Sequence, residues 1–408
     1  MTARSGGVSV PLWSTDARPG AATGRVAAAL RPYRTAILVY AGTRVLLLAV
    51  AIVGGALRHH GVAGELGHWD GVWYRAVAEH GYAQHVLHVQ STLGFFPLYP
   101  MVVWVFAHVL SWLSAHSFAW STVYAGVAVS TVGGLVATVL AQKLATGWWD
   151  AASGRRAALL FCLFPGSVLF SMVYAEGILI PLAMGTILAL ERRRWLLAGI
   201  LAGLATATEP EALVLVLVCV VSATRELRRR GWNDPAARRS VLAPALSLTG
   251  AGAFAAFLWA WTGSPFASLV AQHDGWHEKT SPFALVHLAR LLHYEMSFSN
   301  FNHPTINLNV VIGLLGAIAL LIMLMLVWKS RREMSIEAIV WTLGISFLAV
   351  TSVYPFSPNP RVLITAFPLL LAVGHYVSGR WWRILAWANG SLLAGLSLLT
   401  FVGTTLRP

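Results

Sequence analysis

Charge is what this chain lacks: Asp, Glu, Lys and Arg together make up 11% of its 408 residues, against 57% hydrophobic residues. A soluble domain carries about 25% charged residues, so a water-facing surface around one large core is excluded and a lipid solvent is required. Cysteine is almost absent too. Cys162 and Cys219 both lie in apolar runs, which excludes a disulfide framework and offers no metal-ligand spacing. Acidic residues are the rarer sign, 16 against 29 Lys and Arg, for a formal charge of +13. The basic residues stand in short runs between apolar segments with no RNA-binding motif beside them, so they orient a membrane protein and no nucleic-acid partner is expected.

The first thirty or so residues are rich in Gly, Ala, Ser and Arg with no apolar core, and 1–34 reads as a disordered cytoplasmic tail, not a cleaved signal peptide. Residues 35–408 form one transmembrane domain. Apolar segments run at about Thr35 to Leu57, Thr122 to Ala141, Ala157 to Val173, Gly177 to Leu190, Trp195 to Thr208, Ala212 to Ala223, Val241 to Trp261, Ile306 to Trp328, Ile336 to Tyr354, Val362 to Val377 and Ile384 to Val402. With about 20 apolar residues per span, the expectation is an all-α polytopic protein of about 11 transmembrane helices. Leu98 to Leu113 is shorter and is expected to be re-entrant or interfacial. With the tail inside, one side collects Lys143, Arg155, Arg156, Arg192–Arg194, Arg225, Arg228–Arg230, Arg238, Arg239, Lys329, Arg331, Arg332, Arg380 and Arg383, the cytoplasmic excess expected of a cell-membrane protein. Glu65, Asp70, Glu79, Glu176, Glu209, Glu211, Asp274, Glu278 and Glu295 fall on or near the other side. The long outer loops, about 58–118 and 263–305, lie there as well.

The first of them reads His68-Trp69-Asp70-Gly71-Val72-Trp73-Tyr74-Arg75, then Glu79-His80-Gly81-Tyr82 and Phe95-Phe96-Pro97-Leu98-Tyr99-Pro100. Aromatic faces pack on sugar rings while a carboxylate handles hydroxyl protons; the plainer reading is an aromatic belt. Asp70, bracketed by Trp69 and Trp73, does not belong to a belt. Tyr174 and Glu176 sit at a short outer turn, where the carboxylate either binds sugar hydroxyls or caps a helix. Arg361, at the outer mouth of a late span, runs against the positive-inside bias and fits a phosphate contact, with an interfacial anchor as the plain alternative. Arg75 and Lys279 are weaker candidates on the same argument. Gln272, His273, Asp274, Trp276, His277 and Glu278 lack recognised metal spacing, so His273 and Trp276 are expected to line a sugar pocket and no metal or other cofactor is expected. Arg44 lies well inside the first span, where pairing with an acid, contact with a lipid phosphate and snorkelling all stay open.

HWDGVWY, EHGY and FFPLYP resemble the first lumenal loop of the GPI mannosyltransferase II (PIG-V) family of GT-C glycosyltransferases. LFPGSVLFSMVYAEGIL from Leu163, GSPFASLVAQHDGW from Gly263, and Pro360-Arg361 with Ala366-Phe367-Pro368 resemble further elements of that family in the same order. At Glu209 the family usually has a basic or polar residue, so no substrate contact is carried there. The resemblance implies a GT-C fold and an inverting mannosyltransferase with a polyprenyl-phosphate-mannose donor and a lipid or glycan acceptor, as in GPI-like glycolipid synthesis, working at the extracytoplasmic face. Asp70 is the expected base; His68, Trp69, Trp73, Tyr74, Arg75, Tyr99, Tyr174, Glu176, Gln272, His273, Trp276 and Arg361 are the expected substrate contacts. The rival reading is a secondary transporter or lipid flippase, which would place ionisable groups at the midplane of two repeated halves; most of the outer acids here sit in loops and no repeat is evident.

Overall fold

The computed structural model describes residues 30–59, 61–114, 116–277, 279–295, 307–353, 357–402 and 406. Most of the expected tail, as well as Glu278 and Arg407, lies outside the described residues. Regular structure among the described residues is helical, apart from one isolated bridge between Thr280 and Ser352. The helices are α1 (Arg34–Arg58), α2 (Gly61–Leu66), α3 (Asp70–His80), α4 (Leu98–Ser114), α5 (Phe118–Trp148), α6 (Ala151–Leu163), α7 (Glu176–Glu191), α8 (Trp195–Thr206) and α9 (Val214–Arg230). The nearly continuous α10 (Pro235–Thr262) follows, then α11 (Ala284–Glu295), α12 (Leu308–Ser330), α13 (Ile336–Thr351), α14 (Pro360–Thr365), α15 (Pro368–Tyr376) and α16 (Gly379–Val402).

Local chemistry sets where these helices begin. Ser117 opens α5 by accepting from the Trp120 amide, Asp150 opens α6 by accepting from Ala152 and Ser153, and Ser335 opens α13 by accepting from Ala338. Each satisfies amide groups that have no partner inside the helix. The long α5 packs against α4, α6 and α7, while α6 is covered by α1 and α15, and α8 lies between α7 and α10. One apolar core threads these helices, and a smaller one joins α3, α4 and α5 around Tyr74, Phe95, Tyr99 and Val173.

The expected count of about 11 spans is corrected by this architecture. Among the described residues five helices are long and apolar enough to cross a membrane: Arg31–Arg58, Phe118–Trp148, Pro235–Thr262, Leu308–Ser330 and Gly379–Val402. A sixth is reached if the 3₁₀ stretch Pro165–Ser171 and α7, bent by 111° to one another, are one broken span. The apolar run from Ala157 to Val173 breaks at Pro165, and that from Val362 to Val377 breaks at Phe367-Pro368 into helices of 6 and 9 residues. The 12 residues of α8 rise only about 18 Å, short of a hydrocarbon core of about 30 Å. Hydropathy counts apolar residues but not the prolines that turn the axis. The protein is an all-α, multi-pass membrane protein with fewer full spans and more short, bent helices. The 58–118 loop is itself largely helical, holding α2, α3 and α4.

Candidate active site

Asn359 accepts from the Val362 amide and Pro360 occupies the first helical position, so α14 starts sharply and projects Arg361 from its first turn. Gly166 makes that placement possible: a Cβ there would stand 2.3 Å from the Pro360 carbonyl oxygen. The Arg361 guanidinium then meets three carboxylates, one per nitrogen. Nε donates to Glu176 Oε1, Nη1 to Asp70 Oδ2, and Nη2 to Glu209 Oε1 at 3.2 Å. The Tyr174 ring lies beneath it, 5.1 Å from ring centre to Cζ, and the Tyr74 hydroxyl donates to Glu209 Oε1 at 2.7 Å.

Each carboxylate comes from a break in a helix. Asp70 is the first residue of α3, and Trp69 before it adopts φ 57° and ψ −128°. A left-handed φ in a bulky residue stores strain of about 1–3 kcal/mol. Such strain persists only where the surroundings enforce it. Here the Asp70 amide donates to the Tyr174 hydroxyl at 3.4 Å. Glu176 opens α7 directly after the 111° bend, in a turn pinned by Val173 N to Leu66 O at 3.0 Å and Ser130 Oγ to Tyr174 O at 3.0 Å. Glu209 stands in the break between α8 and Pro210; the Leu98 amide donates to Ala207 O at 2.9 Å and holds that break to the start of α4.

Three ionised carboxylates around one guanidinium leave two excess negative charges, which a low-dielectric interior disfavours. The Glu176 side chain is fully buried and that of Glu209 is 7% exposed, whereas Asp70 and Arg361 are 29% and 24% exposed. Burial pushes the Glu209 carboxyl up to about 8, with Arg361 opposing the rise and Glu211 adding to it. Burial therefore favours a protonated carboxyl within the cluster near neutral pH, with Asp70 and Arg361 on its open side.

The other expected residues divide. Trp73 and Phe95 pack against Trp276 with centroids 5.2 and 5.3 Å apart, and the Tyr74 ring, 4.9 Å from Phe95, joins this aromatic box to the charge cluster. Gln272 Nε2 donates to Gly94 O at 3.2 Å beside it. His68 meets the edge of Trp69 at 5.2 Å. Tyr99 is fully buried, with its hydroxyl donating to Gly126 O at 3.0 Å and 2.9 Å from Ser130 Oγ, and so braces the Glu176 turn from behind. Arg75 turns away to Thr122 and Glu79, each at 3.2 Å. His273 is exposed and bound to Asp274 at 2.6 Å. Among the described residues no group of three or more His, Cys, Asp or Glu has the arrangement of a metal site. Lys279 is exposed.

Glu209 is the residue the sequence reading left aside. The available signal was a carboxylate followed by proline between two apolar runs, which has no role in a lipid-facing helix and needs a partner. Arg44 finds neutral oxygens instead of an acid: Ser167 O at 2.7 Å, Ser171 Oγ at 2.9 Å and Ser167 Oγ at 3.2 Å, with its guanidinium over the Tyr40 ring. It supplies donors to the 3₁₀ stretch before the 111° bend.

The fold and this cluster define a multi-pass membrane protein with a polar site gathered at helix breaks. Residues 32–226, just under half of the chain, match the mannosyltransferase (PIG-V) family. Asp70, Glu176 and Glu209 fall inside this stretch; Arg361 lies beyond it. No curated protein matches the chain. Among solved structures, the Archaeoglobus fulgidus oligosaccharyltransferase in its apo form is 12% identical with a TM-score of 0.49, covering 90% of this chain and 56% of that one. ArnT from Cupriavidus metallidurans bound to undecaprenyl phosphate is 14% identical with a TM-score of 0.45, covering 90% of this chain and 62% of that one. Archaeal AglB from A. fulgidus, in complex with an inhibitory peptide and a dolichol-phosphate, is 10% identical with a TM-score of 0.46 and the same 90% and 56% coverage. The chain thus spans little more than half the length of these structures.

Proposed function

We propose that residues 35–408 form an inverting mannosyltransferase that takes mannose from a polyprenyl phosphate and delivers it to a lipid or glycan acceptor at the extracytoplasmic face. The observation that carries this reading is the direct pairing of Asp70 with Arg361 on the open side of a buried charge cluster, next to an aromatic box suited to a sugar ring. In this reading the acceptor hydroxyl oxygen attacks the anomeric carbon, and the bond from that carbon to the phosphate oxygen breaks. The hydroxyl proton goes to Asp70, and the electron pair leaves with the polyprenyl phosphate. One displacement inverts the anomeric centre. The leaving group is already a stable anion, so the step needs a base and a cation more than an acid.

The three carboxylates take three of the five N–H donors of Arg361 and leave one on each Nη. A phosphate entering from the open side meets these donors beside Asp70, the most exposed of the three carboxylates, and competes with it for Nη1. The test is transfer from radiolabelled polyprenyl-phosphate mannose by purified protein in lipid, with a screen of outer-leaflet acceptors. Asp70→Asn keeps size and hydrogen-bonding shape but cannot take the proton, and general-base assistance is worth about 100- to 10,000-fold. Transfer should fall at least about a hundredfold with donor binding retained, while Glu79→Gln, which removes a charge from the same helix, keeps most activity. Near wild-type transfer by Asp70→Asn removes Asp70 from the role of base.

A further inference from the structure

At the far end of α7 from the charge cluster, about 24 Å away along its 16 residues, the structure holds a cleft of about 680 Å³. It forms where the turn after α7, the last turns of α9 and the first turn of α13 meet. Arg193, Arg225, Arg228 and Arg229 line it, with Trp195 on one wall. Glu226 holds two of these arginines and Arg230 beside them: its side chain is 7% exposed and lies 2.7 Å from Arg230, 3.2 Å from Arg229 and 3.6 Å from Arg193. Arg193 is held there by a left-handed turn, φ 54°, a cost that a residue serving only as a surface charge would not carry. The other acids in the wall are held by neutral donors: Glu337 accepts from Ser222 at 2.7 Å and Glu191 from Trp148 Nε1 at 2.8 Å.

Arg225 and Arg228 are different. Both are exposed, three residues apart on one face of α9, and among the described residues neither has a carboxylate within ion-pair distance. An exposed apolar strip runs back from the cleft, Val220 and Leu217 on the same helix and Leu213 just before its first residue, at spacings of 3 and 4. Arginines that only orient the protein need neither a cleft nor an apolar track leading away.

We infer that this cleft binds the phosphate headgroup of an anionic membrane lipid, with Arg225 and Arg228 on the phosphate and an acyl chain along Leu213, Leu217 and Val220. Guanidinium groups engage two phosphate oxygens at once, and basic clefts between helices on the cytoplasmic side of membrane proteins suit anionic headgroups. The apolar strip favours a lipid over a free phosphate. The site stands apart from the transferase reading and holds whether or not the protein moves mannose.

The test is thermal unfolding of the full chain in detergent with added phosphatidylglycerol, phosphatidylcholine or inorganic phosphate, alongside native mass spectrometry of retained lipid. Phosphatidylglycerol should raise the midpoint by several degrees and leave an adduct, phosphatidylcholine and phosphate should do neither, and Arg225→Ala/Arg228→Ala should abolish both effects. Arg331→Ala, a basic residue stacked on Trp328 at the same end, should keep them. If the double alanine variant melts early without lipid, Arg225→Gln/Arg228→Gln makes the same comparison with the polar stems retained. Equal stabilisation by phosphatidylcholine, an equal effect of inorganic phosphate, or an undiminished shift in the double variant overturns the inference.

Discussion

At the scale of single residues, Arg361 is the group on which the candidate site depends, because among the described residues it alone pairs with all three converging carboxylates. Removing one partner of a buried ion pair costs about 3–5 kcal/mol, since the other charge is left uncompensated. Arg361→Ala is therefore expected to destabilise the protein, and Arg361→Lys is the sharper probe. The ammonium keeps the charge but cannot present three nitrogens in a plane to three acceptors. Donor affinity in Arg361→Lys should fall about tenfold or more, the scale of one lost charge-assisted hydrogen bond, with thermal stability closer to wild type than in Arg361→Ala. Unchanged donor affinity in Arg361→Lys would leave the arginine a structural clamp. Glu209 gives a second probe through pH. Its carboxyl is pushed up from 4.5 to about 8, so the fold favours the protonated form; its contribution is complete below about pH 4.5 and lost as pH rises through about 8. Wild-type melting temperature should decline between these values, and Glu209→Gln, which stays neutral and keeps an acceptor for Tyr74, should flatten the decline. A melting profile of equal slope in both proteins would show that another group takes the proton. Asp70, Glu176 and Arg361 were legible because each stands in an ordered motif. Glu209 was not, since its partner lies 152 residues away and the family usually has a different residue there.

At the scale of elements, the site exists because helices stop. Asp70, Glu176, Glu209 and Arg361 all lie within the first turn of a helix or just before one. This is where the eleven-span expectation and the structure part company. Apolar runs ending at Pro165, Pro210 or Pro368 look like membrane crossings to a hydropathy count, yet the prolines convert them into short segments whose ends turn inward with their polar residues. What the residue pattern did convey was an all-helical, multi-pass membrane architecture; what it could not convey was the angle at each break, which depends on contacts distant in sequence. The approach of α14 to the Pro165–Ser171 stretch is the clearest case, because only a residue without Cβ fits at Gly166. Gly166→Ala must push Pro360 away and carry Arg361 with it. The expected cost is about 1–3 kcal/mol of stability from overpacking, together with weakened donor binding. Gly147→Ala is the control: a Cβ there meets nothing within 4 Å, and an alanine in a helix is favoured over glycine by about 0.5–1 kcal/mol. Melting and donor-binding measurements on the two variants separate the close approach from a general effect of glycine replacement.

At the scale of the whole molecule, the two ends differ in charge. One end holds the carboxylates of Asp70, Glu176 and Glu209. The other gathers arginines: Arg193, Arg229 and Arg230 meet at Glu226, Trp148 Nε1 donates to Glu191 at 2.8 Å, and Arg156 Nε donates to Gly374 O at 2.7 Å beside His375. These contacts draw the ends of α5, α6, α7, α9 and α15 to one side, so the grouping follows from packing and does not depend on how many helices cross fully. An excess of Lys and Arg marks the cytoplasmic side of a membrane protein, and on that rule the Arg361 end is expected to be extracytoplasmic. Thiol labelling decides it. Gly81 and Gly231 lie at the two ends, but both have left-handed φ, 78° and 85°, where a cysteine would be strained. Their neighbours His80 and Trp232 are exposed and accept substitution with less disturbance, while the native Cys162 and Cys219 are buried and contribute little background. In intact cells a membrane-impermeant maleimide should label His80→Cys and leave Trp232→Cys unlabelled until the membrane is permeabilised. The reverse pattern would put the charge cluster in the cytoplasm, where nucleotide sugars are available, and the polyprenyl-phosphate donor would lose its rationale.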